Sequence, residues 1–486
     1  MIKIAKYYLL LFGLIFGLES KAQDNDNVKK WNLQECIDQA WEKNLTLQQS
    51  KLTVRDREVN LKQSKADLLP TLNAGGNYGF NWGRGIDPTT NLFINQRVAF
   101  TGYSASTGVT LFSGFQKQNT IKQGILDLNA SKKDLDDARN DIALNVASLY
   151  LNVIFNKELL SNNRTQLAST QQQLERTKAL VEAGSLPYSN LLNLQSQLAT
   201  NEVNVVNAEN NLNISLLNLK QALLIPASEP FDIVIPDLEV DPQAIAAINV
   251  EEIYKTSLAI QPDIKSADLN VESAAKGEAI AKGGLYPSVS IRGSLGSNYS
   301  DAVDRQRDIV DGTVDQIVPI GFVENTNEVV LSEVTRPNVI GVDEGYSVSE
   351  QFSDNFNQQL SLQLSIPIFN GLTTRSNIQR SKIQKQRAEI DARQTRQTLR
   401  QVIEQAYYDA FAASKNYDAS LKQVEALEES FRIASQQYNL GVINFVDYQI
   451  AENDLYQAKS DLVRNKYDFI FKTKILDFYQ GKSLTF

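Results

Sequence analysis

Residues 68–82 read LLPTLNAGGNYGFNW, and residues 285–298 answer with LYPSVSIRGSLGSN. In the first stretch the even positions carry Leu72, Ala74, Gly76, Tyr78, Phe80 and Trp82, while the odd positions carry Asn73, Gly75, Asn77, Gly79 and Asn81. Apolar residues on every second position predict a strand with two chemically different faces. Outward from this stretch the chain repeats itself. Pro70 matches Pro287 at an offset of 217, as NLQECIDQAWEKN from Asn32 matches NVEEIYKTSLAIQ from Asn249. LFSGF from Leu111 matches IFNGL from Ile368, and Gly184 matches Gly441, both at an offset of 257. A duplication of this period means one structural unit built and then doubled.

Three further segments share the period of two. From Val289 the odd positions carry Val289, Ile291, Gly293 and Leu295, with Ser290, Arg292 and Ser294 on the other side. From Phe356, Leu360, Leu362, Leu364, Ile366 and Ile368 alternate with Asn357, Gln359, Ser361, Gln363 and Ser365. Val98–Phe112 alternates too, with a phase slip near Gly102. A half-buried strand of a soluble sheet shows such alternation as well. A length of about 10 residues, aromatic residues toward the strand ends and a polar face of Asn, Gln and Ser fit a transmembrane β-barrel better. A membrane barrel needs about 8 strands, and an open sheet edge is not viable in lipid, so a four-stranded chain in a membrane must close its barrel with further copies.

The other segments are helical. No proline occurs between Pro88 and Pro187 or after Pro367, and Gly124 is the only glycine from Gln116 to Glu182. Leu135, Ala138, Ile142, Val146, Leu149 and Val153, and then Leu399, Val402, Ala406, Ala410 and Ala413, step by three and four among polar residues. This is the narrow apolar seam of coiled-coil packing. Long helices are therefore expected over Phe115–Glu182 and Thr373–Leu440, each about 100 Å long. Glycine turns at Gly184 and Gly441 reverse the chain into return helices of about 50 Å over Ser189–Leu223 and Phe445–Tyr479. Leu33–Leu69 and Val250–Gly284 read as one further helix each.

Composition removes several classes of function. Residues 1–22 read as a secretory leader: Lys3 and Lys6, an apolar run over Tyr7–Leu18 too short to span a bilayer, and small residues Ser20 and Ala22 before the cleavage point. The net charge of −9 becomes −11 without it, because Lys3, Lys6 and Lys21 outweigh Glu19 by two. Such acidity argues against nucleic acid. The chain has no histidine and one cysteine, Cys36, so no disulfide framework, metal-ligand spacing or thiol–imidazole pair is present. Cys36 reads as a small packed hydrophobe. No cofactor, no metal and no enzymatic chemistry are expected.

The expected organisation is a leader over 1–22, a first repeat over 23–224, a proline-rich linker over 225–248 and a second repeat over 249–486. The change of offset from 217 to 257 places a 40-residue insertion in the second strand-to-strand loop, the acidic segment 299–351, which carries the apolar stretches IVPIGFV and EVVLSEV. A cap, a partner surface, an outward decoration and a tolerated surface insertion all fit it.

The order helix, strand pair, long helix, glycine turn, short helix, given twice, resembles the TolC family of outer-membrane channel-tunnels. LQECIDQAWEKNLTLQQS, the pair LLP and LYP, the pair LFSG and IFNG, and the turns EAGSLPYSNLLNLQSQLA and YNLGVINFVDYQIAENDLYQA carry the resemblance, which covers essentially the whole chain after the leader. It implies an α+β membrane protein: a homotrimer whose four strands per copy form a twelve-stranded β-barrel in the outer membrane, continuous with an α-helical tunnel across the periplasm. The implied function is a passive exit duct of a tripartite efflux or type I secretion system, served by a periplasmic adaptor and an inner-membrane transporter. The alternative of another class is a periplasmic coiled-coil adaptor or scaffold. At the tunnel tip, the resemblance matches Asp447 to an acidic residue that narrows the aperture and Tyr438 to a tyrosine that tethers the closed tip, with Asn190 where its acidic partner is expected. Ile450 and Ile443 replace a second acid and an arginine of that pattern. Gly184 and Gly441 fall at the adaptor-docking turns. The residues themselves offer a second role for Asp447: if Asn444 caps the helix, Asp447 occupies its third position, where an acid is favoured by about 0.3–1 kcal/mol.

Overall fold

The computed structural model describes residues 29–86, 93–236, 241–243, 245, 248–302, 307–343 and 347–482. The expected leader, and part of the expected linker over 225–248, lie outside them. The helices come in two sets of matching length. The first is α1 (Leu33–Lys43, 11 residues), α2 (Leu45–Ala66, 22 residues), α3 (Gln116–Glu182, 67 residues) and α4 (Tyr188–Ala222, 35 residues). The second is α5 (Val250–Ile260, 11 residues), α6 (Pro262–Gly283, 22 residues), α8 (Thr373–Asn439, 67 residues) and α9 (Phe445–Tyr479, 35 residues). A short α7 (Val348–Asp354) precedes the last strand. No described helix is long and apolar enough to cross a membrane.

Two of the expected helices are broken. Leu33–Leu69 divides at Asn44, whose backbone amide closes α1 on the Ala40 carbonyl and whose side chain accepts the amides of Thr46 and Leu47 at 2.9 and 3.3 Å to start α2. Val250–Gly284 divides at the matching Gln261, held extended at φ −63°, ψ 130°. Pro262 follows it, and proline disfavours the helical conformation in the residue before itself.

The chain folds as two compact units, each drawing on both halves of the sequence. One consists of the described residues within Met1–Arg57, Asp127–Val271 and Ala388–Phe486 and is helical apart from a two-residue parallel pairing of β1 (Lys30–Trp31) with β6 (Asp232–Ile233). It holds three apolar clusters, the smallest made of Leu194, Phe445 and Tyr448. In the first, Cys36, Ile37 and Ala40 of α1 meet Val146, Tyr150 and Ile154 of α3. In the second, Ile253 of α5 and Ile264 of α6 meet Leu399 and Ile403 of α8 and Phe469 of α9. Cys36 is fully buried and burial pushes its thiol up to about 12, as suits a packed hydrophobe. The seam of α8 runs through Ile403, 0% exposed, and not through Val402, 40% exposed. Leu399, Ile403, Ala406, Ala410 and Ala413 keep a strict heptad, which the step to Val402 does not.

The other unit, Glu58–Leu126 and Glu272–Arg387, contains the sheet. Its four strands are β2 (Thr71–Asn81), β5 (Val98–Ser113), β7 (Ser288–Ser300) and β10 (Asn357–Ser365), antiparallel in the order β10-β7-β5-β2. Register decides the faces. Leu72 stands opposite Thr107, Thr107 opposite Gly293 and Gly293 opposite Leu360, so these four share one face. Asn73, Ser106, Ser294 and Gln359 form the next row on the other face. The alternation predicted from sequence thus lines up across all four strands. The phase slip expected near Gly102 is absent, because pairing continues through Gly102, and the one register shift falls between Thr110 and Phe112.

The segment 299–351 is more than a loop. Its apolar stretches lie in the paired strands of a hairpin, β8 (Arg307–Phe322) and β9 (Val329–Asp343), with Ile317 opposite Glu333 and Phe322 opposite Val329. The first half carries a small counterpart at the same place, β3 (Arg84–Ile86) paired with β4 (Phe93–Asn95). After the large hairpin, Phe352 of α7 packs against Tyr103 and Tyr299 of the sheet, at ring distances of 5.2 and 6.4 Å.

Candidate functional site

The reversals between α3 and α4 and between α8 and α9 are built alike. Gly184 and Gly441 both have φ 73°, in the left-handed region that glycine enters without strain. The amide of Gly184 bonds the carbonyl of Val181 (2.9 Å) and that of Ser185 the carbonyl of Leu180 (2.8 Å). Gly441 and Val442 repeat this pattern on Tyr438 (3.0 Å) and Gln437 (2.8 Å). This double bond set satisfies the last carbonyls of a helix and needs a left-handed residue at its centre. No atom lies within 4 Å of where a Cβ would stand at either glycine, so conformation and not space selects glycine here.

The two turns then diverge. Asn444 caps α9: its Oδ1 accepts the Asp447 amide at 2.9 Å, and its Nδ2 donates to the Asp447 carboxylate at 2.8 Å. Pro187 stands at the matching place before α4 and offers no side-chain cap. Asp447 therefore occupies the third helical position, where a carboxylate complements the helix dipole. It is exposed and makes no ion pair among the described residues.

Asp447, Tyr438 and Asn190 are brought together around one cavity of about 660 Å³, which Gly441 also lines. Gly184 is next to Ser185, another lining residue. The cavity floor is aromatic. Tyr438 lies 5.1 Å from Tyr448 and 5.9 Å from Phe445, and Phe431 lies 5.5 Å from Tyr448, ring centre to ring centre. Gln173 of α3 donates to the Tyr448 hydroxyl. The Tyr438 hydroxyl is buried near Thr177 and Arg176 without a hydrogen bond among the described residues, and burial raises its pKa. Arg176 also lines the cavity, is exposed and has no ion-pair partner among the described residues. It is a second charged group at this tip, absent from the sequence reading because nothing in the spacing of α3 sets it apart.

Behind the cavity the helices are joined by polar side chains. Ser169 of α3 donates to Glu452 of α9 at 2.9 Å, Asn201 of α4 donates to Thr170 at 2.8 Å, and Gln449 donates to Gln197 at 2.8 Å. Glu452 is 4% exposed, and desolvation raises its carboxyl pKa against the lowering effect of Ser169. The sequence did hold a signal for it. Phe445, Tyr448, Glu452 and Leu455 step by three and four, which puts an acid on the buried seam of α9. Such polar layers fix helix register where an apolar seam allows sliding.

Residues 36–223 and 253–470 match the family model described as outer membrane efflux protein. The outer membrane protein TolC of Escherichia coli is 21% identical over 475 residues, covering 95% of this chain and 83% of the relative. The outer membrane efflux protein BepC of Brucella suis is 20% identical over 436 residues, covering 89% of this chain and 81% of the relative. Among solved structures, the outer membrane protein VceC from Vibrio cholerae superposes with a TM-score of 0.72 at 14% identity, covering 93% of this chain and 96% of that one. Likeness at this identity shows the fold.

Proposed function

Because the chain belongs to the outer membrane efflux protein family, we propose that it works as a homotrimer whose twelve strands close one barrel. The chain is an outer-membrane exit duct with its helical tunnel in the periplasm. The family supplies the number three, and the observation that supports closure by further copies is the sheet. Among the described residues its four strands end in two unpaired edges, β2 and β10, and one face carries an uncovered apolar stripe, with Leu72 79% and Leu360 81% exposed. Lipid accepts that face but not the edges, whose free amides and carbonyls require strands from neighbouring copies. A periplasmic adaptor docking at the Gly184 and Gly441 turns, and an inner-membrane transporter behind it, supply the drive, since the chain has no nucleotide-binding loop of its own.

At the tip, three copies of Asp447 ring the aperture, attract cations and repel one another. The carboxylate keeps its capping place beside Asn444 while facing solvent, so both roles are compatible. Asp447→Asn preserves the amide that Asn444 accepts and removes the charge. Planar-bilayer recordings of Asp447→Asn are expected to show higher conductance or loss of block by trivalent cations. Unchanged conductance and unchanged cation sensitivity would reject the aperture role. For the duct as a whole, release of the protein from outer-membrane fractions is expected to require detergent, and release by a salt wash would reject the reading.

A further inference from the structure

Arg292 is the only charged residue in the four sheet strands. Register places it on the polar face, opposite Gly108 of β5 and Ser361 of β10, near the end of the sheet where the strands join their helices. Its stem crosses Gly108, where an added Cβ would lie 3.8 Å from Arg292 Cγ. Its guanidinium has neither an ion pair nor a hydrogen bond among the described residues. It borders a groove of about 790 Å³ whose other charged residues are Lys117 and Asp67, one of each sign. Lys117 is engaged, donating to the Asp67 carbonyl at 2.5 Å. One positive charge per copy is therefore left uncompensated among hydroxyls and amides.

We propose that Arg292 is a selectivity-determining residue of the barrel, favouring anionic solutes bearing carboxylate, phosphate or sulfate groups. The inference rests on the trimeric duct proposed above. Three copies place three guanidinium groups at one level of a water-filled lumen lined by Ser, Asn, Gln and Thr. A ring of like charges between low-dielectric walls focuses the field and selects by sign. The planar, always-charged guanidinium also meets a carboxylate or phosphate with two parallel hydrogen bonds, so this ring binds such groups as well as attracting them.

The test uses the full chain in planar bilayers at about 0.1 M salt, where the screening length of about 10 Å leaves the ring effective. Arg292→Gln is expected to lower the chloride-to-potassium permeability ratio by about twofold or more. Ser361→Asp, which sets a carboxylate in the same row, is expected to do the same, and Arg292→Lys to retain the wild-type ratio. Inorganic tripolyphosphate on the external side is expected to reduce the wild-type current and to lose that effect in Arg292→Gln. Conducting channels with the same permeability ratio and the same tripolyphosphate inhibition in wild type, Arg292→Gln and Ser361→Asp would overturn the assignment of Arg292. A wild-type protein that forms no channel at all would overturn the duct arrangement itself, and the assignment with it.

Discussion

Placing an arginine at residue 359 or at residue 360 separates the two faces of the sheet within a single peptide step. Gln359 stands in the row of Asn73, Ser106 and Ser294, and Leu360 in the row of Leu72, Thr107 and Gly293. Leu360, Leu362 and Leu364 are 81%, 70% and 60% exposed, an apolar stripe left open by the rest of the chain. If lipid covers it, Leu360→Arg loses about 1.5–3 kcal/mol of leucine burial. It also places a cation on the lipid face, at about 2–4 kcal/mol near the bilayer midplane. The total of about 3.5–7 kcal/mol per copy falls on each of three copies, against a typical folding stability of about 5–15 kcal/mol. Gln359→Arg adds its charge to a watered lumen and shifts stability by no more than about 0.5 kcal/mol. The assay is the amount of oligomer in outer-membrane fractions that resists SDS until heated. Gln359→Arg is expected at wild-type level, and Leu360→Arg is expected to give little or none. Equal assembly of both variants, or failure of Gln359→Arg alone, would refute the assignment of faces.

Two further perturbations probe the helical unit. Gly441→Ala meets no neighbouring atom, so its penalty is the left-handed conformation alone, about 1–2 kcal/mol. Amide exchange over residues 437–446 should accelerate about 5- to 30-fold, and an unchanged rate would mean that the turn does not hold the conformation described. Burial, together with Asp141, Asp263 and Asp134 nearby, pushes Asp137 up to about 6 from an ordinary 3.8. The folded state then holds the proton more tightly than the unfolded chain, so stability falls as pH rises from about 4 to about 6 and the penalty is complete above that. Asp137→Asn should therefore raise the unfolding temperature at pH 8 and leave it unchanged below pH 4, whereas a gain confined to low pH would contradict this sign.

Much of this architecture was open to reading in the chain because its strongest signals are periodic. The two-residue period of Leu72–Trp82 and of Leu360–Ile368 was enough to separate the faces, since one slip in register would have mixed them. The stretches free of proline and nearly free of glycine gave the long helices, and Gly184 and Gly441 their ends. Local side-chain chemistry escaped the reading. Asn44 and Gln261 break helices whose apolar period continues across the break, so period alone runs through them. The hairpin over 307–343 alternates poorly, because its register shifts at three places. The choice of Ile403 over Val402 depends on which neighbours fill the seam, a matter of packing. At the tip, resemblance gave Asp447, Tyr438 and Asn190, and the structure places all three around one cavity. Their meeting with Arg176 and Tyr448 joins α3 to α9, as does the Gln173–Tyr448 bond across 275 residues of sequence, which no local pattern encodes.

The number of copies in the detergent-extracted assembly bears most directly on all of this. Mass measurement of the purified complex, with the detergent contribution subtracted, should give three chains per particle. The same material should aggregate or precipitate when detergent is withdrawn. A monodisperse single chain that stays dissolved in plain buffer would show that the apolar stripe needs no lipid and the sheet edges need no neighbour.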